Sequence, residues 1–228
     1  MKMMKKLTVI LASMVLLGTA AFAKSNFTAI SLSVPINNVT ENLSYQGTNI
    51  CDIKYTYNSF GFGITSVQDN MFSTVDLSFV NKVTMKSVVN GNTSDPSSSN
   101  PKDSNLTWIF CNGLMGYPFK IIDNGTMQLI LAPGFHVSMY SLTSKNDTSD
   151  RYLGVYLGAG AEAMFNYYLG SFCISAGFGF GYDFWGIDRY GSLIADLISY
   201  QLTGGYYEFT EKYKNISIKP RIGVGFNW

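Results

Sequence analysis

The last thirteen residues of the chain, Ile216 to Trp228, alternate between two kinds of side chain. Every second position is apolar, and the positions between are polar or glycine; the apolar set is Ile216, Ile218, Pro220, Ile222, Val224, Phe226 and Trp228. A two-residue period is the repeat of a β-strand, because successive side chains point to opposite faces. The segment therefore predicts a strand with one apolar face and an opposite face that carries Lys219 and Arg221.

This strand resembles the closing strand of Gram-negative-type outer-membrane β-barrels, in which an apolar ladder runs to a C-terminal aromatic residue. The terminal residue of that family is usually Phe, whereas this chain has Trp228 at the end and Phe226 two places earlier. The resemblance implies an insertion signal, read by the barrel-insertion machinery, at Ile222, Val224, Phe226 and Trp228. It covers one strand, so the rest of the wall has to be predicted from its own patterns.

Composition is consistent with a wall that faces lipid. Of 228 residues only 14% are charged, while 15% are aromatic and 22 are glycine. Surfaces exposed to water usually carry about 25–35% charged residues. The net charge of +1 gives no bulk attraction to nucleic acid, so we expect no nucleic-acid partner.

The first 23 residues have the pattern of a cleaved signal peptide. Three lysines precede the apolar stretch Leu7 to Leu17, and Ala21-Phe22-Ala23 forms an A-x-A cleavage site. Cleavage before Lys24 leaves residues 24–228 as the predicted barrel domain. That remainder contains no apolar run near the ~18 residues of a spanning helix. Membrane residence therefore has to come from strands.

Seven further segments alternate like the last one: 27–34, 55–67, 72–86, 106–117, 127–142, 152–165 and 172–185. In the fourth of them, Trp108, Phe110 and Leu114 are assigned to the outward apolar face. Together with the closing strand they predict an all-β fold, an antiparallel transmembrane β-barrel of eight strands. Tyrosines and tryptophans near the predicted strand ends, Tyr57 among them, are expected at the membrane interfaces.

The connections predict an orientation. Short turns are expected near residues 68–71, 118–126 and 166–171, and polar loops at 36–49, 87–104, 144–150 and 186–215. Short periplasmic turns and long external loops are typical of outer-membrane barrels. The stretch 186–215 leaves an alternative open, because 193–202 and 206–209 flank a Thr-Gly-Gly turn. If both arms crossed the bilayer, the barrel would have ten strands.

Charged residues are predicted on the inner face of the wall. An eight-stranded barrel has an interior just wide enough to be filled by side chains. Parity within the strands places six charges there: Asp76, Lys82, Glu162, Asp183, Lys219 and Arg221. Buried charges need partners, so we expect a lumen network in which Arg221 or Lys219 pairs with Glu162 or Asp183. It resembles the charged plug of OmpA-type transmembrane domains.

Catalytic and metal-binding patterns are weak in this chain. It has one histidine and three cysteines, Cys51, Cys111 and Cys173, at spacings that do not form a metal site; parity puts the last two inward. His136 and Ser138, with Glu162, resemble the triad of lipid A deacylases. Parity turns that pair away from lipid, and the expected register separates His136 from Glu162 by about five residues, or ~16 Å. We therefore expect a hydrogen-bonding lumen histidine, no catalytic activity and no cofactor.

Three functional classes remain open from the sequence. The first is a structural, adhesin-like or surface-interaction barrel of the outer membrane with a filled lumen and long polar loops. The second is a narrow channel for small or apolar solutes, as in OmpW-like barrels, and the third a secreted lipocalin-like binder. The first implies a monomer whose partners are outer-membrane lipid, the insertion machinery and a host or envelope ligand at the loops.

Overall fold

The computed structural model describes residues 27–45, 48–68, 70–89, 92–93, 97–99, 106–144, 151–188 and 209–227. The described chain folds into twelve β-strands: β1 (Phe27–Ser33), β2 (Ile36–Tyr45), β3 (Thr48–Val67), β4 (Phe72–Val89), β5 (Asn92–Thr93), β6 (Ser97–Ser99), β7 (Leu106–Gly116), β8 (Phe119–Asp123), β9 (Met127–Ser144), β10 (Arg151–Leu169), β11 (Phe172–Asp188) and β12 (Phe209–Asn227). Within these ranges, no helix is long and apolar enough to cross a bilayer.

Two of the barrel strands are interrupted by proline. β1 and β2 lie end to end between the same neighbours, β12 and β3. Pro35 has no N–H to donate, yet the ladder continues across it, because the Val34 amide donates to the Pro220 carbonyl and the Ser59 amide to that of Pro35. β7 and β8 likewise follow one another along β9 on either side of Pro118.

Antiparallel pairing joins these strands into a closed ring of eight. The circuit runs β1/β2, β3, β4, β7/β8, β9, β10, β11 and β12, and β12 pairs back with β1 and β2. This confirms the predicted barrel and its strand number. β11 pairs directly with β12 from Phe172↔Phe226 to Asp183↔Asn215, so two further crossing strands have no place between them. The hairpin arm proposed at 193–202 lies outside the described residues, and of the arm proposed at 206–209 only Phe209 is described, as the first residue of β12.

Several predicted loops and turns are wrong, because the strands run further than expected. Residues 36–45 and 48–54 are paired strand rather than loop, and β8 occupies most of the predicted turn 118–126. β10 continues to Leu169, and β4 to Val89, where β5 and β6 pair back onto it. Outside a membrane both faces of a strand can be polar, so alternation of apolar residues disappears while backbone pairing continues.

The outward face of the ring is a continuous apolar surface. Large apolar side chains lie exposed on every barrel strand, for example Ile30, Phe62, Leu77, Met115, Phe135, Phe165, Phe178 and Val224. This belt lies toward the end of the barrel that carries the short turns. Apolar area of this extent is unfavourable in water by about 25 cal/mol per Å², whereas a hydrocarbon layer accommodates it. The fold is therefore a transmembrane β-barrel with its apolar side outward.

A β-bulge in β4 corrects one of the charge assignments. Ser59 pairs with Val80 and Asn58 with Lys82, so β4 has one extra residue, Asn81, between them. The extra residue reverses the alternation of everything that follows it. Lys82 is therefore exposed on the outer face, and Val83 is buried inside. The inward position predicted for Lys82 is wrong.

The face assigned to β7 is also reversed. Phe110, Asn112 and Leu114 are buried in the interior, and Asn112 lies opposite Asp76 and Ser138. Cys111 therefore lies on the outer side of the wall, although parity had placed it inside. Both faces of this strand carry apolar residues, so its alternation did not distinguish them, and the registers of β4 and β9 decide the orientation.

Because the belt faces lipid, a charged residue introduced on the outer face should destabilise the barrel by an amount that depends on its depth in the bilayer. Phe178 lies near the middle of the exposed apolar run of β11. Phe178→Arg should lower the free energy of unfolding in lipid vesicles by about 2–4 kcal/mol, the cost typical of arginine near the bilayer midplane. Tyr167→Arg, beside the turn at Gly170, is the matched control and should cost about 0–1 kcal/mol. Equal losses in urea titrations of the two variants would contradict the proposed position of the bilayer.

Candidate functional site

The barrel interior is filled by three layers of side chains along its axis. Nearest the short turns is an apolar layer, called here the lower cluster: Phe27, Ala29, Val67, Phe72, Leu114, Ile130, Ala132, Met164 and Cys173. Above it is a polar and charged layer, the charge layer, built around Arg221, Glu162, Asp183 and His136. Toward the long loops is the aromatic cluster: Val39, Tyr57, Val80, Val83, Phe110, Tyr140, Tyr156 and Tyr213. The charge layer is the candidate functional site.

Arg221 of β12 is the main connector of the charge layer. Its Nη2 lies 2.8 Å from Asp76 Oδ2, and its Nε lies 2.8 Å from Glu162 Oε1. Nη2 also donates to Glu162 Oε2 at 3.1 Å, so one guanidinium group holds carboxylates from β4 and β10. Nη1 donates to the hydroxyls of Thr65 and Thr74. The planar fork of arginine suits this arrangement, because it presents five N–H donors in fixed directions.

A second group of polar contacts surrounds Asp183 of β11. Its Oδ1 lies 2.6 Å from His136 Nδ1, and its Oδ2 accepts from the Ser138 hydroxyl at 2.7 Å and from the Asn215 amide at 2.9 Å. All four side chains are fully buried. The hydrogen bonds to the Asp183 carboxylate thus come from two strands, β9 and β12, which flank the β10–β11 pair.

The contacts of His136 indicate its tautomer. Lys219 Nζ lies 3.3 Å from His136 Nε2 and is fully buried. Asp183 Oδ1 lies 2.6 Å from His136 Nδ1, and a carboxylate can only accept, so the ring proton lies on Nδ1, which donates to Asp183. His136 therefore connects the Asp183 group to Lys219, and the charge layer crosses the interior from β4 to β12.

Glycines on β11 provide the space for these side chains. A Cβ at Gly179 would lie 2.6 Å from Glu162 Oε2, and one at Gly181 would lie 2.4 Å from His136 Cε1. Such distances are too short for non-bonded atoms, so a side chain at either position would displace Glu162 or His136 from the charge layer. The alternation of glycine with outward aromatics on this strand thus has a packing cause.

The structure brings together five of the six charges assigned to the lumen. Asp76, Glu162, Asp183, Lys219 and Arg221 are buried in the charge layer, and Lys82 is exposed outside it. The pairs differ in detail from the expected ones. Arg221 takes Asp76 as well as Glu162, and Asp183 binds His136 rather than a lysine or arginine. The threonine hydroxyls and Asn215 were not anticipated, because short polar residues on an inner face carry no distinctive sequence pattern.

The deacylase-like triad is not assembled. Glu162 lies opposite Ala132, four residues along β9 from His136, and its carboxylate binds Arg221. Ser217, His136 and Asp183 do lie in the order of a nucleophile, a base and an orienting acid, with Ser217 Oγ 3.3 Å from His136 Nε2. A nucleophile must reach a substrate, whereas these three side chains are fully buried between the lower and aromatic clusters. In this arrangement the three side chains connect β12, β9 and β11 within the lumen.

The aromatic cluster was missed by sequence reasoning. Tyr57 lies 5.1 Å from Phe110 and 5.2 Å from Trp108 between ring centroids, and Tyr140 lies 5.9 Å from Tyr156. Tyr57 had been expected at a membrane interface and the two β7 aromatics on the lipid side. Aromatic residues occur on both faces of this wall, so residue type alone could not assign them.

The remaining site predictions concern cysteines, metals and the insertion signal. Cys51, Cys111 and Cys173 are free thiols, and the described residues contain no group of three or more potential metal ligands. Ile222, Val224 and Phe226 are exposed on the outer face of β12, next to β1. Trp228 lies outside the described residues, and the role of these four residues as an insertion signal stays a prediction.

Comparison with known proteins gives weak structural similarities. No protein-family model matches the chain, and no curated protein matches it. Among solved structures, it is similar to the outer membrane protease OmpT from Escherichia coli, with a TM-score of 0.48 and 9% identity over 89% of this chain and 96% of that one. It is also similar to the outer membrane protein OprG from Pseudomonas aeruginosa, with a TM-score of 0.45 and 10% identity over 90% and 97%. For Neisserial surface protein A the TM-score is 0.44, with 12% identity over 90% and 98%. Values this low carry no argument about activity.

Removal of Arg221 should strongly destabilise the barrel. Arg221→Met leaves two buried carboxylates without their cation, and losses of about 3–5 kcal/mol are typical of such half-broken pairs. We expect this loss in urea unfolding in vesicles, together with a lower temperature for conversion to the heat-modified form on gels. Adding Asp76→Asn and Glu162→Gln to the same chain should restore part of it.

The matched control for this prediction is Lys120→Met, which breaks the partly exposed Lys120–Asp123 pair of 3.8 Å. Exposed pairs contribute about 0–1 kcal/mol. A loss for Arg221→Met no larger than that of the control would show that the charge layer does not hold the strands together.

Proposed function

We propose that this chain is an integral outer-membrane β-barrel with a filled lumen, which acts through its outward surface as a structural or surface-interaction protein of adhesin-like type. The observation that carries the proposal is the filling of the interior at all three levels. The lower cluster, the charge layer and the aromatic cluster are made of buried side chains from every barrel strand. A filled interior favours function at the outside of the barrel over transport through it.

Strand length supports an outward surface. A bilayer needs about 9–11 residues per tilted strand, whereas β3, β10 and β12 have 20, 19 and 19 residues. The excess of roughly eight residues raises the wall by roughly 20 Å beyond the apolar belt, at 3.3 Å per residue and a tilt of ~40°. The belt lies toward the short turns, so the raised part carries the long connections. That part would present a ligand-binding surface to host or envelope molecules.

The proposed location and topology follow from the same features. A signal peptide ending at Ala23 would deliver the chain across the inner membrane, and the exposed apolar ladder of β12 would engage the insertion machinery. The short turns would then lie in the periplasm and the raised wall outside the cell. A closed ring has no unpaired edge to join to a second copy, which favours a monomer. A secreted lipocalin-like binder is disfavoured, because it would carry its apolar face inward.

Gel mobility and conductance test the filled-lumen barrel. We expect outer-membrane-fraction protein to migrate differently on SDS gels with and without boiling, because closed barrels resist SDS until heated. In planar bilayers the same protein should give no steady stepwise conductance. Reproducible steps from heat-modifiable protein would favour the narrow channel instead. An absence of any mobility shift, with the protein in a soluble fraction, would reject the membrane barrel altogether.

Cys51 tests the orientation without an introduced label site. It lies in the raised part of β3, half-buried, whereas Cys111 is buried on the outer side of the wall and Cys173 is buried in the lower cluster. Burial, followed by the nearby carboxylates of Asp52 and Glu41, raises the pKa of the Cys51 thiol. Because the thiolate is the reactive form, labelling of intact cells by a membrane-impermeant maleimide should be slow at neutral pH and speed up as the pH rises through 8 and 9. Labelling that requires cell lysis would reverse the proposed orientation.

Two serine variants make the labelling specific. Cys51→Ser should abolish the signal on intact cells, whereas Cys173→Ser, near the periplasmic turn Gly170–Ser171, should leave it unchanged. If the two variants behaved alike, the label would not report the outer end of β3.

A further inference from the structure

Five lysines lie together on the outward face of one side of the barrel. They are called here the lysine strip: Lys54, Lys82, Lys86, Lys212 and Lys214. All five are exposed, and they come from three strands, β3, β4 and β12. β2 lies between β12 and β3, so the strip occupies four adjacent strands. Neither charge composition nor the predicted strand parity indicated this surface.

The strand register aligns three of these lysines in one row. Lys214 pairs with Thr40, Thr40 with Lys54, and Lys54 with Lys86. Adjacent strands are about 4.8 Å apart, so the row is about 14 Å wide. Lys212 lies two residues further from the belt on β12. On β4, the bulge turns Lys82 outward, opposite Asn58 and four residues nearer the belt than Lys86. The bulge therefore adds a charge to this surface that regular alternation would have placed inside.

The lower edge of the strip, at Lys214 and Lys82, lies just above the apolar belt, whereas Lys54 and Lys86 lie six and seven residues beyond Phe60 and Phe79 on their strands. Ile216 and Phe79 belong to the belt and are 39% and 48% exposed. Toward the outer end of the wall, Lys214 lies two residues from Ile216 on β12, and Lys82 lies three residues from Phe79 on β4. At 3.3 Å per residue these steps are about 7–10 Å along the strand. A lysine side chain spans a comparable length, so the ammonium groups of Lys214 and Lys82 can reach the boundary between hydrocarbon and headgroups.

Most of the positive charge of the strip is left without an ion pair in the part of the chain that the structure describes. None of the five has an ion pair within 4.0 Å there. Asp52 lies on the same outward face, and it accepts hydrogen bonds from Asn42 and Asn49, both at 2.7 Å. Those bonds, from Asn49 first, lower the pKa of the Asp52 carboxyl, and the charge of Lys54 lowers it further, so Asp52 stays ionised and offsets part of the charge of Lys54.

Among the described side chains, the wall next to the strip on the β11 side is apolar at the same level. On β11, the strand beyond β12, the outward residues that follow the Asp183–Asn215 pair are Phe184 and Trp185, which are 62% and 51% exposed. On β10, Leu157 pairs with Trp185 and continues the apolar surface. A localised cationic strip beside an apolar wall matches an anion that is itself attached to an apolar group.

We propose that the lysine strip binds the phosphate-bearing headgroups of lipids in the outer leaflet, while their acyl chains lie along the belt below. Lysine ammonium groups are compact cationic donors suited to phosphate oxygens, and the Thr40 and Thr84 hydroxyls between them are further donors. Several lysines at a headgroup boundary act together in such binding. The inference rests on the proposed outer-membrane location, and it commits to a lipid rather than a free anion because the strip adjoins the lipid-facing surface.

The test measures lipid binding by purified barrel in neutral detergent, using native mass spectrometry. The probes are bisphosphorylated lipid A and the same lipid with both phosphates removed. We expect selective retention of the phosphorylated form and about 100-fold weaker binding for the triple variant Lys54→Gln, Lys86→Gln and Lys214→Gln. The corresponding triple arginine variant should bind like the wild type. Lys120→Gln, a lysine at the opposite end of the barrel, should also leave binding unchanged.

Each outcome bears on one claim. Every variant is first checked for the heat-dependent gel shift, and a wild-type protein without that shift would reject the membrane barrel and this inference together. If the shift is present and the triple glutamine variant binds as tightly as the wild type, the strip is not a lipid site although the barrel stands. Equal displacement by inorganic phosphate at millimolar concentration would overturn the choice of lipid over a free anion.

Discussion

The structure depends on one constraint: a backbone that enters hydrocarbon must satisfy its own hydrogen bonds. A strand meets this requirement only when both of its edges are paired, so a sheet that crosses a bilayer has to close on itself. Here closure is made by β12, which pairs with β11 along one edge and with β1 and β2 along the other. The two prolines that interrupt barrel strands are tolerated because neighbouring amides and carbonyls continue the ladder across Pro35 and up to Tyr117.

Closure with eight strands determines what the interior can hold. The lumen is narrow enough for Arg221 on one wall to reach Asp76 and Glu162 on others, and glycines on β11 leave room for these side chains. The charges are therefore paired across the barrel rather than along a strand. Apolar and aromatic clusters cover the charge layer from below and above, which removes water from the ion pairs and strengthens them. The same packing keeps the buried Ser217, His136 and Asp183 away from any substrate.

The outer surface is divided by height. A belt of exposed apolar residues lies toward the short turns, the lysine strip begins just above it on one side, and the raised polar wall extends further out. These regions follow from strands that are about twice as long as a bilayer requires. The polar segment 36–45 belongs to the raised wall, where the ladder holds it as strand although its composition is that of a loop.

Alternation by itself determined the barrel class, the eight crossing strands and the direction of most faces. The outward positions of residues 27–34, 172–184 and 216–226, and the inward positions of Asp76, Glu162, Asp183, Lys219 and Arg221, follow from a period of two that is local to each strand. Tertiary structure alone decided where that local rule changes. An extra residue at Asn81 turned Lys82 outward, and the registers of β4 and β9 turned Phe110 and Leu114 inward. Tertiary structure also determined that Asp183 pairs with His136 and that Arg221 pairs with Asp76. Contacts across a lumen depend on the stagger between distant strands, and that stagger cannot be derived from the sequence of one strand.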